Sequence, residues 1–254
     1  MSSVTLSYIT RNVPADERTV NRLFVSAFIE SNGMVPPKSV FLSQYYIGKG
    51  DADYEAFQNV CEHIRDEYGS KISLEILVKL FEFVISPADR IVTGAVYTPK
   101  DVRRTILQKV LGDKSEENIW NIRIADISCG CGGFLMDAAQ WIHHKTGKKY
   151  LEIFGENVYG IDIQEYSIER TRVLLSLLAL TEGEDEDFEF NLLCRDTLDF
   201  RCGDWNPLFI GFDIIVGNPP YVCSRNLSEE THAKLSAYEV CSSGHPDLYI
   251  PFFQ

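Results

Sequence analysis

Ile122-Arg123-Ile124-Ala125-Asp126-Ile127-Ser128-Cys129-Gly130-Cys131-Gly132-Gly133-Phe134-Leu135 is an apolar, β-type run that breaks into small residues, and Met136-Asp137-Ala138-Ala139-Gln140-Trp141-Ile142 follows it as a helical stretch. A strand, a glycine loop and a helix start, in that order, predict one unit of a parallel α/β sheet. Glycines let the backbone approach a ligand closely, and free amides at a helix N-terminus favour a carboxylate or phosphate. The loop lacks both the GxGxxG dinucleotide spacing and the Lys-Ser/Thr pair of a P-loop, which argues against nicotinamide and ATP.

Three further strands are predicted downstream. Asn157-Val158-Tyr159-Gly160-Ile161-Asp162-Ile163 ends on a carboxylate and leads into an amphipathic helix from Tyr166 to Leu180. An acid in that place can take both ribose hydroxyls of an adenosine-containing ligand; the competing reading of Asp162 is a helix cap. Phe188-Glu189-Phe190-Asn191-Leu192-Leu193-Cys194 runs into Arg195-Asp196-Thr197-Leu198, so a second acid, Asp196, stands at a strand end where it could accept from an adenine amino group. The fourth strand, Phe212-Asp213-Ile214-Ile215-Val216-Gly217, delivers Asn218-Pro219-Pro220-Tyr221. The expected fold is α/β, a Rossmann-like doubly wound parallel sheet, with ligand-binding residues gathered at the carboxyl ends of its strands.

In Asn218-Pro219-Pro220-Tyr221 two fixed φ angles hold an Asn side-chain carbonyl and a Pro backbone carbonyl where both can accept from one exocyclic NH2 group. The nitrogen lone pair is then directed at an electrophile, and the tyrosine offers a face on which a flipped base or a planar amide can stack. Taken alone, the tetrapeptide reads equally as a Pro-Pro turn closing a buried strand.

Together these segments resemble the class I, S-adenosylmethionine-dependent DNA adenine-N6 methyltransferases in their gamma motif order, as found in restriction-modification systems, over roughly residues 94 to 254. The family's first motif, Asp-Pro-x-Cys-Gly-x-Gly-x-Phe, is matched by Asp126, Cys129, Gly130, Gly132, Gly133 and Phe134, with Ser128 where Pro is usual. The resemblance implies that Asp162 with Ile163 binds the ribose of S-adenosyl-L-methionine and that Asp196 with Thr197 reads its adenine. It implies that Tyr97 and Thr98, in Gly94-Ala95-Val96-Tyr97-Thr98-Pro99, hold the methionine end. Asn218, Pro219, Pro220 and Tyr221 would be the catalytic loop, acting on an adenine flipped from double-stranded DNA without a metal. Pro246-Asp247-Leu248-Tyr249-Ile250-Pro251-Phe252-Phe253 resembles the helix after that loop.

The family pattern continues through three more strands and a target-recognition region, so the sequence is expected to be a partial methyltransferase domain, completed by another chain or region. Four of about seven strands would be present, with the fourth an open edge prone to self-association. Residues 1–92 carry helical periodicity over Asp16 to Glu30, Tyr54 to Tyr68 and Leu74 to Ile85 and are expected to form a helical N-terminal domain, with the methyltransferase domain at 93–254. The net charge of −13 is unusual for a DNA-binding chain. Lys145-Thr146-Gly147-Lys148-Lys149 and Arg103-Arg104 read as solvated faces, and Glu182 to Asp187 as an exposed acidic loop.

Seven cysteines show no paired metal-ligand spacing and read as reduced thiols. With no signal peptide and no long apolar span, a cytoplasmic location and no membrane association are expected. Two other readings stand beside the first. One is a methyltransferase acting on a glutamine amide of a release factor, which shares the Asn-Pro-Pro-Tyr loop and a helical N-terminal domain. The other is a non-catalytic scaffold subunit.

Overall fold

The computed structural model describes residues 4–13, 16–84, 94, 96–205 and 208–254. Ile85, Ala95 and the expected boundary at residues 92 and 93 lie outside the described residues.

The N-terminal region is helical: α1 (Val4–Asn12), α2 (Glu17–Ser31), the single turn α3 (Val40–Ser43), α4 (Tyr54–Tyr68) and α5 (Leu74–Phe83). Local chemistry sets their limits. Asp16 caps α2 by accepting from the Thr19 N–H at 2.9 Å, and Ser73 caps α5 by accepting from Ile76. At the far end of α4, Gly69 takes a φ of 90°, which stops the helix without side-chain strain. Two helices, α6 (Lys100–Leu111) and α7 (Glu116–Trp120), then lead into the α/β unit: β1 (Ile124–Asp126), α8 (Gly133–Thr146), α9 (Tyr150–Glu156), β2 (Val158–Asp162), α10 (Glu165–Thr181), β3 (Asn191–Cys194), β4 (Ile214–Ile215) and α11 (Glu229–Leu235).

The four strands are parallel in the order β3-β2-β1-β4. Ile124 of β1 pairs with Val158 on one side and Ile214 on the other, so neighbouring strands diverge from β1 and the sheet's switch point lies at its carboxyl end. The expected α/β fold holds, and the fourth strand lies at an edge of the sheet. β3 begins at Asn191 rather than Phe188, because the rings of Phe188 and Phe190 turn aside onto Phe154, each with centroids 5.2 Å away. β4 is short and lies at the sheet edge, with Ile215 57% exposed.

One hydrophobic core runs from Ile9 through Phe24 and Phe81 to Leu174 and Val216, so apolar packing is continuous across the expected domain boundary. Buried Arg170 of α10 fixes the join by donating to the Phe81 carbonyl at 3.1 Å and to the Asn21 side chain at 3.3 Å.

Three expectations need correction. The two basic runs are not simply solvated. Arg104 is exposed, but Arg103 is 2% exposed and binds Asp137 and Glu75, each at 2.7 Å, and the Thr98 carbonyl at 2.6 Å. Lys148 is equally buried, donating to the Trp120 carbonyl, Glu156 and Asn157. A long aliphatic stem lets either cation reach inward when acceptors wait there.

The acidic stretch is a capping element as well as a loop. Asp185 accepts from the Lys38 and Ser39 amides, and Asp187 from Val40 and Phe41, at the start of α3. Glu184 accepts from Tyr150 and Leu151 at the start of α9. Carboxylates at helix N-termini satisfy donors that the helix itself leaves open. Lastly, Pro246 to Phe253 is not an α-helix. It holds only a 3₁₀ turn at Ile250–Phe253, since Pro246 and Pro251 supply no backbone donor; the α-helix after the Pro-Pro loop is α11.

β1 ends on Asp126, buried to 2% exposure. Burial pushes its carboxyl up to about 7, against the Ser128 N–H that it accepts and with help from the charges of Asp162 and Glu82.

Two stability outcomes follow. Arg103→Leu strands Glu75 and Asp137 in the interior and should lower the unfolding free energy in urea by about 3–5 kcal/mol, the cost of breaking a buried pair from one side. A change of a few tenths would mean that the guanidinium is dispensable. For Asp126 the folded-state value lies above the unfolded one of about 3.9, so the folded state holds the proton more tightly. Its stabilising contribution is complete below about pH 4 and is lost as pH rises toward 7. Between pH 5 and 7 the wild type should lose stability relative to Asp126→Asn by up to about 1.4 kcal/mol per pH unit; parallel urea curves would contradict the buried proton.

Candidate functional site

A cavity of about 320 Å³ opens at the carboxyl ends of the strands, walled by the glycine loop, the strand ends, α5 and the segment around Asn218. This lies within the range of small-molecule sites.

The glycine loop departs from expectation. Its first amides are not free for an anionic ligand: Gly130 N–H donates to Asp162 at 2.9 Å and Cys131 N–H to Glu82 at 3.2 Å. Gly132 N–H turns back to the Cys129 carbonyl. Gly132 takes a φ of 77°, and a Cβ there would stand 2.6 Å from the Thr171 methyl, so its role is to let the loop pack on α10. It does not line the cavity, whereas Cys129 and Gly130 do. Burial pushes the Cys129 and Cys131 thiols well above their ordinary range, which makes them packing groups.

Asp162 reaches the wall from the end of β2, beside Ile163, and accepts from Gly130 and from Gln164 N–H at 2.9 Å. Burial raises its carboxyl above the usual range. Asp196 and Thr197 line the far end. One Asp196 oxygen accepts from Leu198 N–H and the other from Lys234 of α11 at 2.7 Å, a cation that Asp199 also binds. Those hydrogen bonds raise the Lys234 pKa. Thr197 is pinned by a hydrogen bond to the Ile127 carbonyl.

Tyr97 and Thr98 form the opposite wall. Tyr97 donates to Glu75, and Arg103 holds the Thr98 carbonyl. Two contacts bring the Pro-Pro loop against this segment. Tyr221 N–H donates to the Gly94 carbonyl at 3.1 Å, and Asn218 Nδ2 donates to the Val96 carbonyl at 3.0 Å. Gly94 has φ 65°, and a Cβ on it would sit 2.7 Å from the Tyr221 nitrogen; only glycine allows that approach. Gly217 is similarly constrained, since a Cβ would lie 2.6 Å from Asp126 Oδ1. With Nδ2 committed to Val96, Asn218 keeps Oδ1 as a side-chain acceptor.

Asn218 and Pro220 line the cavity, while Pro219 and Tyr221 do not. Tyr221 is 52% exposed, its ring 5.6 Å from that of Tyr249. The motif reading also passed over several wall residues: Glu82 on α5, Ser128, Tyr166, Thr231 and, after the loop, Leu248 and Phe252. Ser128, whose hydroxyl donates to the Asn218 carbonyl at 3.4 Å, stood inside the glycine loop and was within reach of sequence reasoning. Glu82 carried no local signal.

Residues 156–254 match the Eco57I restriction-modification methylase family. The type II restriction enzyme and methyltransferase RM.Eco57I of Escherichia coli is 26% identical over 195 residues, covering 59% of this chain and 19% of its own length. The type II methyltransferase M.BstVI of Geobacillus stearothermophilus is 27% identical over 171 residues, covering 63% of this chain and 30% of its own. The chain therefore spans less than a third of either relative. Among solved structures, the DrdV–DNA complex superposes with TM-score 0.60 at 19% identity over 93% of this chain and 28% of DrdV. The type IIG restriction endonuclease BpuSI gives 0.59 at 13% identity over 97% of this chain and 30% of its own. At those identities the likeness speaks for the fold. No helix among the described residues is long and apolar enough to cross a membrane. The family match over residues 156–254 and the two curated relatives make the chain similar to restriction-modification methyltransferases, and the superpositions agree on the fold.

Proposed function

We propose that the chain carries the cofactor pocket and catalytic loop of a DNA methyltransferase that transfers a methyl group from S-adenosyl-L-methionine to the N6 amino group of adenine. The observation that carries this reading is Asn218: its Nδ2 is anchored on the Val96 carbonyl, and the residue shares the cavity wall with Asp162 and Asp196.

The wall suits the proposed cofactor. Carboxylates at successive strand ends, Asp162 and then Asp196, supply acceptors for hydroxyls and an amine, and the cavity volume fits a nucleoside-sized ligand. Bound there, S-adenosyl-L-methionine would supply an electrophilic sulfonium methyl. Asn218 Oδ1 and the Pro219 carbonyl would accept the two amino hydrogens of adenine and so aim the nitrogen lone pair at that methyl. In this displacement the N–C bond forms as the C–S bond breaks, and the surplus proton on the new N-methyl group leaves to solvent. Tyr221, exposed beside Tyr249, would stack on an adenine extruded from double-stranded DNA. Asp196 keeps lone pairs beyond the Leu198 and Lys234 hydrogen bonds with which to accept from the cofactor adenine. The target-recognition region or completing chain, and the restriction activity of such systems, belong to the same proposal.

The test is nucleoside mass spectrometry of DNA incubated with the chain and S-adenosyl-L-methionine, alongside calorimetric titration of the cofactor. N6-methyladenine should accumulate. Asn218→Ala should reduce methyl transfer by at least about 100-fold, as for loss of a group acting only in the transition state. Its cofactor affinity should stay unchanged, and Asp162→Ala should lose that affinity. N4-methylcytosine as the product, or an active Asn218→Ala, would overturn the assignment.

A further inference from the structure

The glycine loop is lined with negative charge where a phosphate-binding loop would present amides. Glu82 and Asp162 already occupy the Cys131 and Gly130 N–H groups, and Asp126 lies behind them at the end of β1. All three carboxylates line the cavity. Arg103 also lines the cavity but is held by Glu75 and Asp137, and Arg170 is held by Asn21 and the Phe81 carbonyl. The charges of Asp162 and Glu82 help to raise the Asp126 carboxyl, and that of Glu82 the Asp162 carboxyl, as expected of like charges sharing one wall. A cationic group placed against the loop would relieve that repulsion.

Of the three, Asp126 is buried behind the loop and within close approach of Gly217. Asp162 divides its oxygens between two backbone amides. Glu82, partly exposed as Asp162 is, is the one that reaches the wall from a helix outside the α/β unit. We propose that Glu82 of α5 is a cofactor-binding residue, the counter-ion for the α-ammonium group at the methionine end of the cofactor. The N-terminal helices would thereby contribute directly to the pocket. This rests on the cofactor reading above.

S-adenosylhomocysteine retains the ammonium but lacks the sulfonium charge, so it isolates the interaction. Calorimetry would compare it with the analogue in which hydrogen replaces the amino group, on wild type and on Glu82→Gln, which keeps the acceptor for Cys131 N–H. On wild type the ammonium should improve affinity roughly 10- to 100-fold, the range for a hydrogen bond between charged groups. On Glu82→Gln that advantage should shrink to about threefold or less. Glu82→Asp, keeping the charge, should recover part of it. An unchanged advantage in Glu82→Gln would place the ammonium elsewhere, and equal losses for both ligands would reduce Glu82 to a support for the loop; either overturns the proposal. Failure of S-adenosylhomocysteine to bind wild type would instead overturn the cofactor reading itself.

Discussion

The buried guanidinium of Arg103 is the contact on which the geometry of the site depends. It joins three stretches of chain that share no backbone pairing: α5 through Glu75, the segment before α6 through the Thr98 carbonyl, and α8 through Asp137. Its planar fork presents several donors in fixed directions, which a lysine ammonium could not reproduce. Glu75 also receives the Tyr97 hydroxyl, so one ion network sets both residues of the cavity wall opposite the strands. The same wall then receives Asn218 and Tyr221 through the Val96 and Gly94 carbonyls. The position of the Asn218–Tyr221 loop is thus inherited, step by step, from a cation held in the protein interior.

The second organising constraint is charge. Carboxylates end β1 and β2 and follow β3, and α5 adds another from outside the sheet. Burying several acids together is costly unless protons, amides or cations offset them. Here the offsets differ by position: a raised carboxyl at Asp126, backbone amides at Asp162, and Lys234 at Asp196. This explains how a strongly acidic chain can still fold a tight glycine loop around its pocket.

Much of the sheet was legible in the sequence because parallel strands buried on both faces read as short apolar runs between punctuating residues. β1, β2 and the helices α2, α4 and α10 fall where the apolar periodicity places them. Strand limits were less legible where aromatic packing competes with pairing, as at Phe188 and Phe190. Most expected wall residues lie together, since strand ends in such a sheet must converge. Gly132, Pro219 and Tyr221 do not reach the wall, because motif spacing cannot tell a residue that shapes a loop from one that faces its cavity. Arg103, Lys148 and Glu82 were illegible for a different reason. Their partners lie on other elements, such as Glu75 and Asp137 for Arg103, and a charged residue in a polar run carries no mark of which way it turns.

The capping loop at Glu184 to Asp187 has a consequence for the order in which the molecule can assemble. The amides of Lys38 and Val40 find their carboxylates 147 residues further along the chain. During synthesis the start of α3 must therefore wait, solvated, while β1, β2 and the helices between and after them, through α10, emerge from the ribosome. Closing so long a loop is a late and entropically demanding event, so the N-terminal helices should acquire their final seat only once β3 is about to form.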